Sequence, residues 1–290
     1  MTFQGLLTAL VTPFQDGAVD EACFRALVRR QLAGGVSGLV PCGTTGEAPT
    51  LSVSEQASIV GWTLEEAAGT VPVMAGIGSN CTATAVANAK RAEQLGVHGV
   101  LATAPYYNKP TQEGLYQHFK AIAEAVSVEV CLYDVPGRSV IHIAPRTVAR
   151  LAEIDNITAL KDATGDMANA VDVRRRCGEK IALLSGDDFT TLPFLAQGGA
   201  GVISVASNVV PKQMRSLVDA ALAGDITLAA GLSEQLFPLI RDLFLESNPI
   251  PVKAAMAHLG LLTDGLRLPL TPMTDPARTG LIATVDQLLT

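Results

Sequence analysis

Charged residues are scarce in this sequence, at 17% of its 290 positions, and aromatic residues are scarcer still, at 4%. The formal net charge is −7, and no run of like charges occurs. Nucleic acids and anionic membranes attract basic surfaces, so neither is an expected partner. Hydrophobic residues make up 48% of the sequence, which predicts a large buried core.

Metal, disulfide and membrane signatures are also missing. The five cysteines are far apart without a CxxC pair, and the four histidines show neither HxH nor HExxH spacing. These patterns argue against a zinc or disulfide framework and predict reduced, mostly buried thiols. No apolar run approaches the roughly 18 residues of a membrane span, and the first residues, MTFQGLLTALVTPF, lack the basic region of a signal peptide. We therefore expect a soluble, cytoplasmic protein.

Short β-rich segments alternate with longer amphipathic segments along most of the sequence. The predicted strands are 6–11, 38–42, 72–76, 99–104, 129–133, 157–161, 181–185 and 202–205. The predicted helices are 21–33, 54–68, 83–95, 113–125, 145–151, 168–177, 189–197 and 211–223, with caps expected at Asp20 and at Ser52 or Ser54. Apolar strands without strict alternation are typical of a parallel sheet covered by helices.

Eight such units predict an α/β protein with a (β/α)8 TIM barrel at residues 1–223. Residues 224–290 predict a C-terminal helical extension, with helices at 225–246, 251–260 and 276–289. An open, doubly wound sheet is the alternative fold, but the GxGxxG turn that is usual for it is absent.

The active site of a barrel lies at the carboxyl ends of its strands. The sixth predicted strand ends at Lys161, where a poorly solvated amine would be a nucleophile for ketones; the alternative is a lysine paired with Asp162 or Asp166 at the rim. The fifth ends at Tyr133, which is either a proton shuttle or a core tyrosine. Arg138 follows in the turn VPGR, where it either binds a carboxylate or lies at the surface.

Two further loops carry polar side chains. The turn GTTGE, residues 43–47, offers two hydroxyls and free backbone N–H groups to a small carboxylate, or is a simple strand-to-helix turn capped by Thr44 or Thr45. In APYYNKP, the adjacent Tyr106 and Tyr107 are typical of a subunit interface or a lid.

Asp187 and Asp188 follow the seventh predicted strand. They are the one acidic pair that suggests a metal site, but no histidine lies near them in sequence. Turn or cap roles are therefore favoured.

The motifs together resemble the dihydrodipicolinate synthase/N-acetylneuraminate lyase family, and more closely its dihydrodipicolinate synthase branch. The resemblance runs nearly end to end. It rests on LVTPF, GTTGE, PYYNKPTQEGLYQHF, YDVPGR, LKDATGD, LLSGDD, GVISVASN, NPIPVKAA and LRLPLTP, in this order. It implies a TIM-barrel lyase of lysine and diaminopimelate biosynthesis that joins pyruvate to L-aspartate 4-semialdehyde without a metal or organic cofactor.

The resemblance implies a role for each matched residue on the pyruvate side. Lys161 would form an imine with the C2 carbonyl of pyruvate. Thr44 and Thr45 would hold its carboxylate. Gly186 and Ile203 would line the pocket through backbone contacts.

The resemblance also implies a proton relay and a second subsite. Tyr133 would donate and accept protons and would be linked through Thr44 to Tyr107 of a neighbouring subunit. Arg138 would bind the carboxylate of the aldehyde substrate. The implied assembly is a homotetramer built from tight dimers.

Some positions depart from the family pattern. In YDVPGRS, Asp134 replaces the more common Asn, Gly137 replaces Ser or Pro, and Ser139 replaces Thr. In LKDATGD, Asp162 stands where Glu is common. Because Tyr133 is retained together with Arg138, these changes are expected to adjust the loop without abolishing its role.

The site at which many bacterial members bind lysine as a feedback inhibitor is also altered. Asn80 and Tyr106 match that site, but Val53, Gln56 and Thr84 replace polar or ionisable residues. The ammonium and carboxylate of lysine would lack partners there, so weak or absent inhibition is expected.

Three other functions stay open at this stage. A sibling lyase acting on a sugar acid or another 2-oxo acid adduct would keep Lys161 and Tyr133 and differ in the aldehyde pocket. A non-catalytic pyruvate- or amino-acid-binding protein would form no covalent adduct, and a metal-dependent aldolase would be sensitive to EDTA.

Overall fold

Eight parallel strands form the centre of the molecule, whose computed structural model describes residues 3–289. The strands are β1 (Gly5–Ala9), β2 (Gly38–Val40), β3 (Met74–Gly76), β4 (Gly99–Thr103), β5 (Glu129–Asp134), β6 (Ile157–Asp162), β7 (Ala182–Ser185) and β8 (Gly201–Ser204). Their hydrogen-bonded order is β2-β1-β8-β7-β6-β5-β4-β3. The Leu39–Val73 bridge joins β2 to β3 and closes the barrel. The predicted TIM barrel is confirmed.

Eleven helices of more than one turn surround and extend this barrel within residues 3–289. The barrel helices are α1 (Glu21–Ala33), α2 (Val53–Ala67), α3 (Thr82–Leu95), α4 (Gln112–Ala123), α5 (Pro145–Leu151), α6 (Met167–Cys177), α7 (Thr191–Ala196) and α8 (Pro211–Leu222). The extension contains α9 (Ile226–Asp242), α10 (Ile250–His258) and α11 (Asp275–Leu289), and α9 packs against both α8 and α11. The domain boundary after residue 223 stays a prediction.

Two of the predicted helix caps are present. The Asp20 carboxylate accepts a hydrogen bond from the Cys23 backbone N–H at 2.9 Å. Ser52 and Glu55 form a reciprocal capping box at the start of α2. Each such cap stabilises its helix by about 1 kcal/mol, because it satisfies N–H groups that have no partner inside the helix.

Apolar side chains fill the barrel on both sides of the sheet. One cluster lies inside the barrel and includes Leu7, Val40, Met74 and Ile203, and a larger one lies between the sheet and the helices. Each large aliphatic side chain that is fully buried contributes about 1.5–3 kcal/mol. Burial on both faces explains why the strands lack apolar–polar alternation.

The structure contains several short elements that the sequence pattern did not predict, including three 3-10 turns at Ala48–Thr50, Asp188–Thr190 and Ala206–Asn208. A hairpin pairs Phe14–Gln15 with Ala18–Val19, and one helical turn spans Pro136–Ser139. Three of the five free cysteines are buried, as expected. None of the helices described for residues 3–289 is long and apolar enough to cross a membrane.

Candidate active site

Lys161 and Tyr133 are neighbours at the carboxyl ends of β6 and β5, where the sheet register pairs them directly. Lys161 is 6% exposed, and its Nζ lies 4.1 Å from the centroid of the Tyr133 ring. Within the described part of the chain, Lys161 forms no ion pair. Its amine therefore has an aromatic face beside it, and Asp187, which lines the same cavity, interacts with it electrostatically without forming an ion pair.

The alternative pairing of Lys161 with Asp162 or Asp166 is wrong. Asp162 accepts hydrogen bonds from the backbone N–H of Thr164 at 2.8 Å and from Asn169 Nδ2 at 3.0 Å. Asp166 caps α6. Side chains alternate along a strand, so Asp162 points away from the face on which Lys161 lies.

An open cavity of about 430 Å³ lies over these two residues. Six of the predicted site residues line it: Thr44, Thr45, Tyr133, Arg138, Lys161 and Gly186. The floor admits no side chain at Gly186, because a Cβ there would lie 2.8 Å from the Ala163 Cβ. The cavity thus places an amine, a phenol, two hydroxyls and a guanidinium around a space large enough for a small molecule.

The GTTGE loop offers an anion cradle on one side of the cavity. The N–H groups of Gly46 and Glu47 donate back to the carbonyls of Gly43 and Thr44, at 3.1 and 3.0 Å. Across residues 3–289, the backbone N–H groups of Thr44 and Thr45 donate to no protein acceptor. They remain available to a carboxylate.

Asn248 joins the two sides of the cavity, and the sequence reasoning missed it. Its Nδ2 donates to Thr45 Oγ1 at 2.9 Å, and its backbone oxygen accepts from Arg138 Nη2 at 3.0 Å. The only sequence signal was its place in the NPIPVKAA motif. The C-terminal extension therefore holds both the anion cradle and the guanidinium.

A buried ion pair fixes the end of the GTTGE loop. Lys253 of α10 is fully buried, and its Nζ lies 2.5 Å from Glu47 Oε1. Glu47 Oε2 also accepts from the Arg267 backbone N–H at 3.1 Å, and Lys253 Nζ lies 4.4 Å from the Phe14 ring centroid. Burial lowers the pKa of Lys253, and the Glu47 carboxylate opposes this shift.

Several predicted residues lie outside the main cavity. Ile203 is 1% exposed in the cluster inside the barrel and is not among the residues that line the cavity. Tyr107 is 88% exposed, and Tyr106 lines a second cavity of about 260 Å³ that also reaches Thr44 and Tyr133. Asn80 accepts a hydrogen bond from Asn108 through its backbone oxygen at 2.8 Å. The roles assigned to these residues stay predictions.

Asp187 and Asp188 both accept hydrogen bonds from nearby backbone N–H groups, and Asp187 also lines the main cavity together with Lys161. Asp187 accepts a hydrogen bond from the Phe189 N–H at 3.0 Å, and Asp188 accepts from the N–H groups of Val205 and Ala206, both at 2.9 Å. Burial raises the pKa of both carboxyls. Across the described residues, 3–289, no group of three or more metal-binding side chains is arranged to hold an ion.

Comparison with known proteins agrees with this geometry. The model of the dihydrodipicolinate synthetase family matches residues 2–288. The 4-hydroxy-tetrahydrodipicolinate synthase of Pelobacter propionicus is 49% identical over 281 residues, which cover 97% of each chain. The solved dihydrodipicolinate synthase of Thermotoga maritima superposes with a TM-score of 0.97 at 41% identity, covering 99% of each chain. A structure described as a monomeric dihydrodipicolinate synthase variant gives the same TM-score of 0.97 at 41% identity, covering 99% of this chain and 97% of that one. This chain therefore belongs to the dihydrodipicolinate synthetase family.

Proposed function

We infer that this chain is a 4-hydroxy-tetrahydrodipicolinate synthase, a lyase of lysine and diaminopimelate biosynthesis. It condenses pyruvate with L-aspartate 4-semialdehyde. The single observation that carries the mechanism is Lys161, a buried amine that forms no ion pair among the described residues and opens onto a cavity with an anion cradle and a guanidinium. The names of the relatives favour this activity over a sibling lyase that acts on a sugar acid.

The residues of the cavity fit the first half of the reaction. The Lys161 amine attacks the C2 carbonyl of pyruvate, and water leaves to give an imine. The free N–H groups of Thr44 and Thr45 hold the pyruvate carboxylate, with Thr45 oriented by Asn248. The Tyr133 phenol, whose ring lies against the Lys161 amine, moves the protons that convert the imine to an enamine.

The second half uses the opposite wall. The enamine carbon attacks the aldehyde, whose distal carboxylate is bound by Arg138. The amine of this second substrate then closes the ring on the imine carbon and releases Lys161. Gly186 and Ile203 complete the pyruvate side through their backbone.

The relay is completed by a second subunit in this proposal. Tyr107 is 88% exposed and has a φ of 73°, so this loop presents its ring outward. We propose that the ring enters the site of a partner subunit and connects through its Thr44 equivalent to the phenol, within a homotetramer of tight dimers. The cytoplasmic location predicted from the sequence belongs to the same proposal.

The test is turnover of pyruvate with L-aspartate 4-semialdehyde, coupled to a dihydrodipicolinate reductase and followed as NADPH oxidation. Turnover supports the substrate pair. Borohydride trapping of pyruvate on Lys161 without turnover would support the imine mechanism and contradict aspartate semialdehyde as the second substrate. No adduct with pyruvate would overturn the mechanism itself.

Replacing Arg138 by alanine is expected to lower kcat/KM for aspartate semialdehyde by about 100-fold while sparing imine formation with pyruvate. A hydrogen bond between charged groups contributes about 1.5–3 kcal/mol, and the substrate carboxylate would lose one or two of them. Steady-state kinetics and borohydride trapping measure the two effects. An equal loss of both would show that Arg138 only holds the loop to Asn248.

Lysine is expected to inhibit weakly or not at all. Val53 is 53% exposed and has no polar atom on its side chain, and Gln56 donates to the Ala48 backbone oxygen at 3.3 Å. Neither supplies the charge that a zwitterionic amino acid needs. Initial rates over a lysine titration measure this, and inhibition at sub-millimolar lysine would contradict it.

A further inference from the structure

Residues 135–143 form the loop that carries Arg138, which is called the Arg138 loop. Asp134 joins the two ends of this loop. Asp134 precedes it as the last residue of β5 and is 1% exposed. Its Oδ2 lies 2.6 Å from His142 Nδ1 and accepts from the Ile143 backbone N–H at 3.2 Å. One carboxylate oxygen therefore joins the two ends of the loop.

The rest of the Arg138 loop depends on this closure. Ser139 Oγ lies 3.1 Å from the Val135 backbone oxygen and 2.8 Å from that of Ile141, so its one hydroxyl proton is donated to either of them and shapes the turn around Arg138. Gln112 of α4 donates to the His142 backbone oxygen at 2.7 Å. These contacts are neutral. Besides the hydrogen bond from the Arg138 guanidinium to the Asn248 backbone oxygen, the Asp134–His142 contact is the charged contact described for the loop, and it is the one that joins its two ends.

The charges around this anchor are nearly all negative. The sheet register places Asp134 opposite Asp162 on β6, one step beyond the Tyr133–Lys161 pair. Asp162 and Asp166 both act on His142 as well, and Asp134 Oδ1 is buried without a hydrogen-bond partner. On the neighbouring α4 and α5, Glu113 and Arg150 pair with each other at 2.8 Å. Among the described residues, His142 is the one cation in contact with the buried Asp134 carboxylate, which the Ile143 N–H also stabilises.

We propose that Asp134 and His142 form a positioning pair that holds Arg138 for the second substrate, and that this pair acts when His142 is charged. The inference rests on the proposed function, in which Arg138 binds the carboxylate of aspartate semialdehyde. Neither side chain touches the cavity, so both act through the loop.

The direction of the pH dependence follows from both groups. Burial raises the pKa of Asp134, and the hydrogen bond from Asp134 raises the pKa of His142 above its ordinary value. The stabilisation from His142 is therefore complete below the unfolded value of about 6.5 and is lost as the pH rises through the higher folded value. Above that point two buried carboxylates face each other across the strands, and the loop loosens.

The experiment compares kcat/KM for aspartate semialdehyde between about pH 6 and pH 9 in the parent protein and three variants. His142→Gln is expected to lose about tenfold at the lower pH, mainly through KM, and to match the parent at the higher pH. Asp134→Asn is expected to flatten the profile, because an amide oxygen still accepts from Ile143 without needing a charged partner.

His258→Gln is the matched control. Its Nε2 lies 2.7 Å from Asp286 in the extension, so it removes a comparable histidine–aspartate contact away from the Arg138 loop. Its profile should coincide with that of the parent, and pyruvate trapping on Lys161 should be equal in all four proteins at each pH.

The outcomes separate the two proposals. If the parent turns over both substrates but its pH profile is parallel to that of His142→Gln, the positioning pair is overturned and the proposed function is not. The same holds if His142→Gln loses pyruvate trapping as much as kcat/KM, or if His258→Gln shows the same effect as His142→Gln. Absence of turnover in the parent would overturn the proposed function, and this inference with it.

Discussion

Replacing Lys161 by alanine is expected to abolish pyruvate trapping and to reduce turnover by about 10⁴-fold or more. The methyl group cannot form an imine, and removal of a covalent nucleophile has effects of this order or larger in other enzymes. Mass spectrometry after borohydride reduction, together with the coupled assay, measures both losses. The protein should still fold, because Lys161 makes no hydrogen bond or ion pair from its amine within the described residues.

Lys180→Ala is the matched control. Lys180 lies on the surface and pairs with Glu153 at 2.7 Å, so its loss should leave trapping and turnover unchanged. A covalent adduct that persists in Lys161→Ala would assign the nucleophile to another lysine. Normal turnover without an adduct would contradict the imine mechanism.

Replacing Lys253 by methionine is expected to lower the free energy of unfolding by about 3–5 kcal/mol. The methionine fills much of the same space, but it leaves the buried Glu47 carboxylate without its cation. Urea denaturation measures the shift. Pyruvate trapping should weaken as well, because Glu47 ends the loop that carries Thr44 and Thr45.

The double variant Glu47→Gln/Lys253→Met tests the cause of this loss. Glutamine is neutral, and its amide oxygen still accepts from the Arg267 N–H. Most of the lost stability should therefore return. A double variant as unstable as Lys253→Met would mean that the lysine acts through packing against Phe14 rather than through the charge of Glu47.

The barrel was predictable because its strands are short apolar segments separated by amphipathic helices. Predicted and observed bounds agree for α1 and α5 and differ by one or two residues for most other elements. The hairpin at Phe14–Gln15 and the turn at Pro136–Ser139 were missed, since two to four residues show no periodicity. Tertiary contacts fix such short elements.

The site was predictable where its residues end a strand. Lys161 and Tyr133 lie at one cavity because the carboxyl ends of parallel strands meet there, whereas Gly186 was expected only from the family resemblance. Asn248 and Lys253 escaped prediction as site residues. Their partners Thr45 and Glu47 lie 203 and 206 residues away in sequence, and no local pattern records a pairing over that distance.

The same separation sets an order of events while the protein is being made. Glu47 leaves the ribosome 206 residues before Lys253. At about 5–20 residues per second, translation takes roughly 10–40 s to cover that interval. Late in this interval the nascent chain carries all eight strands and Lys161, but the GTTGE loop has neither the cation for Glu47 nor the amide for Thr45. We therefore expect a nascent chain that already carries Lys161 to bind pyruvate weakly until the extension emerges and docks.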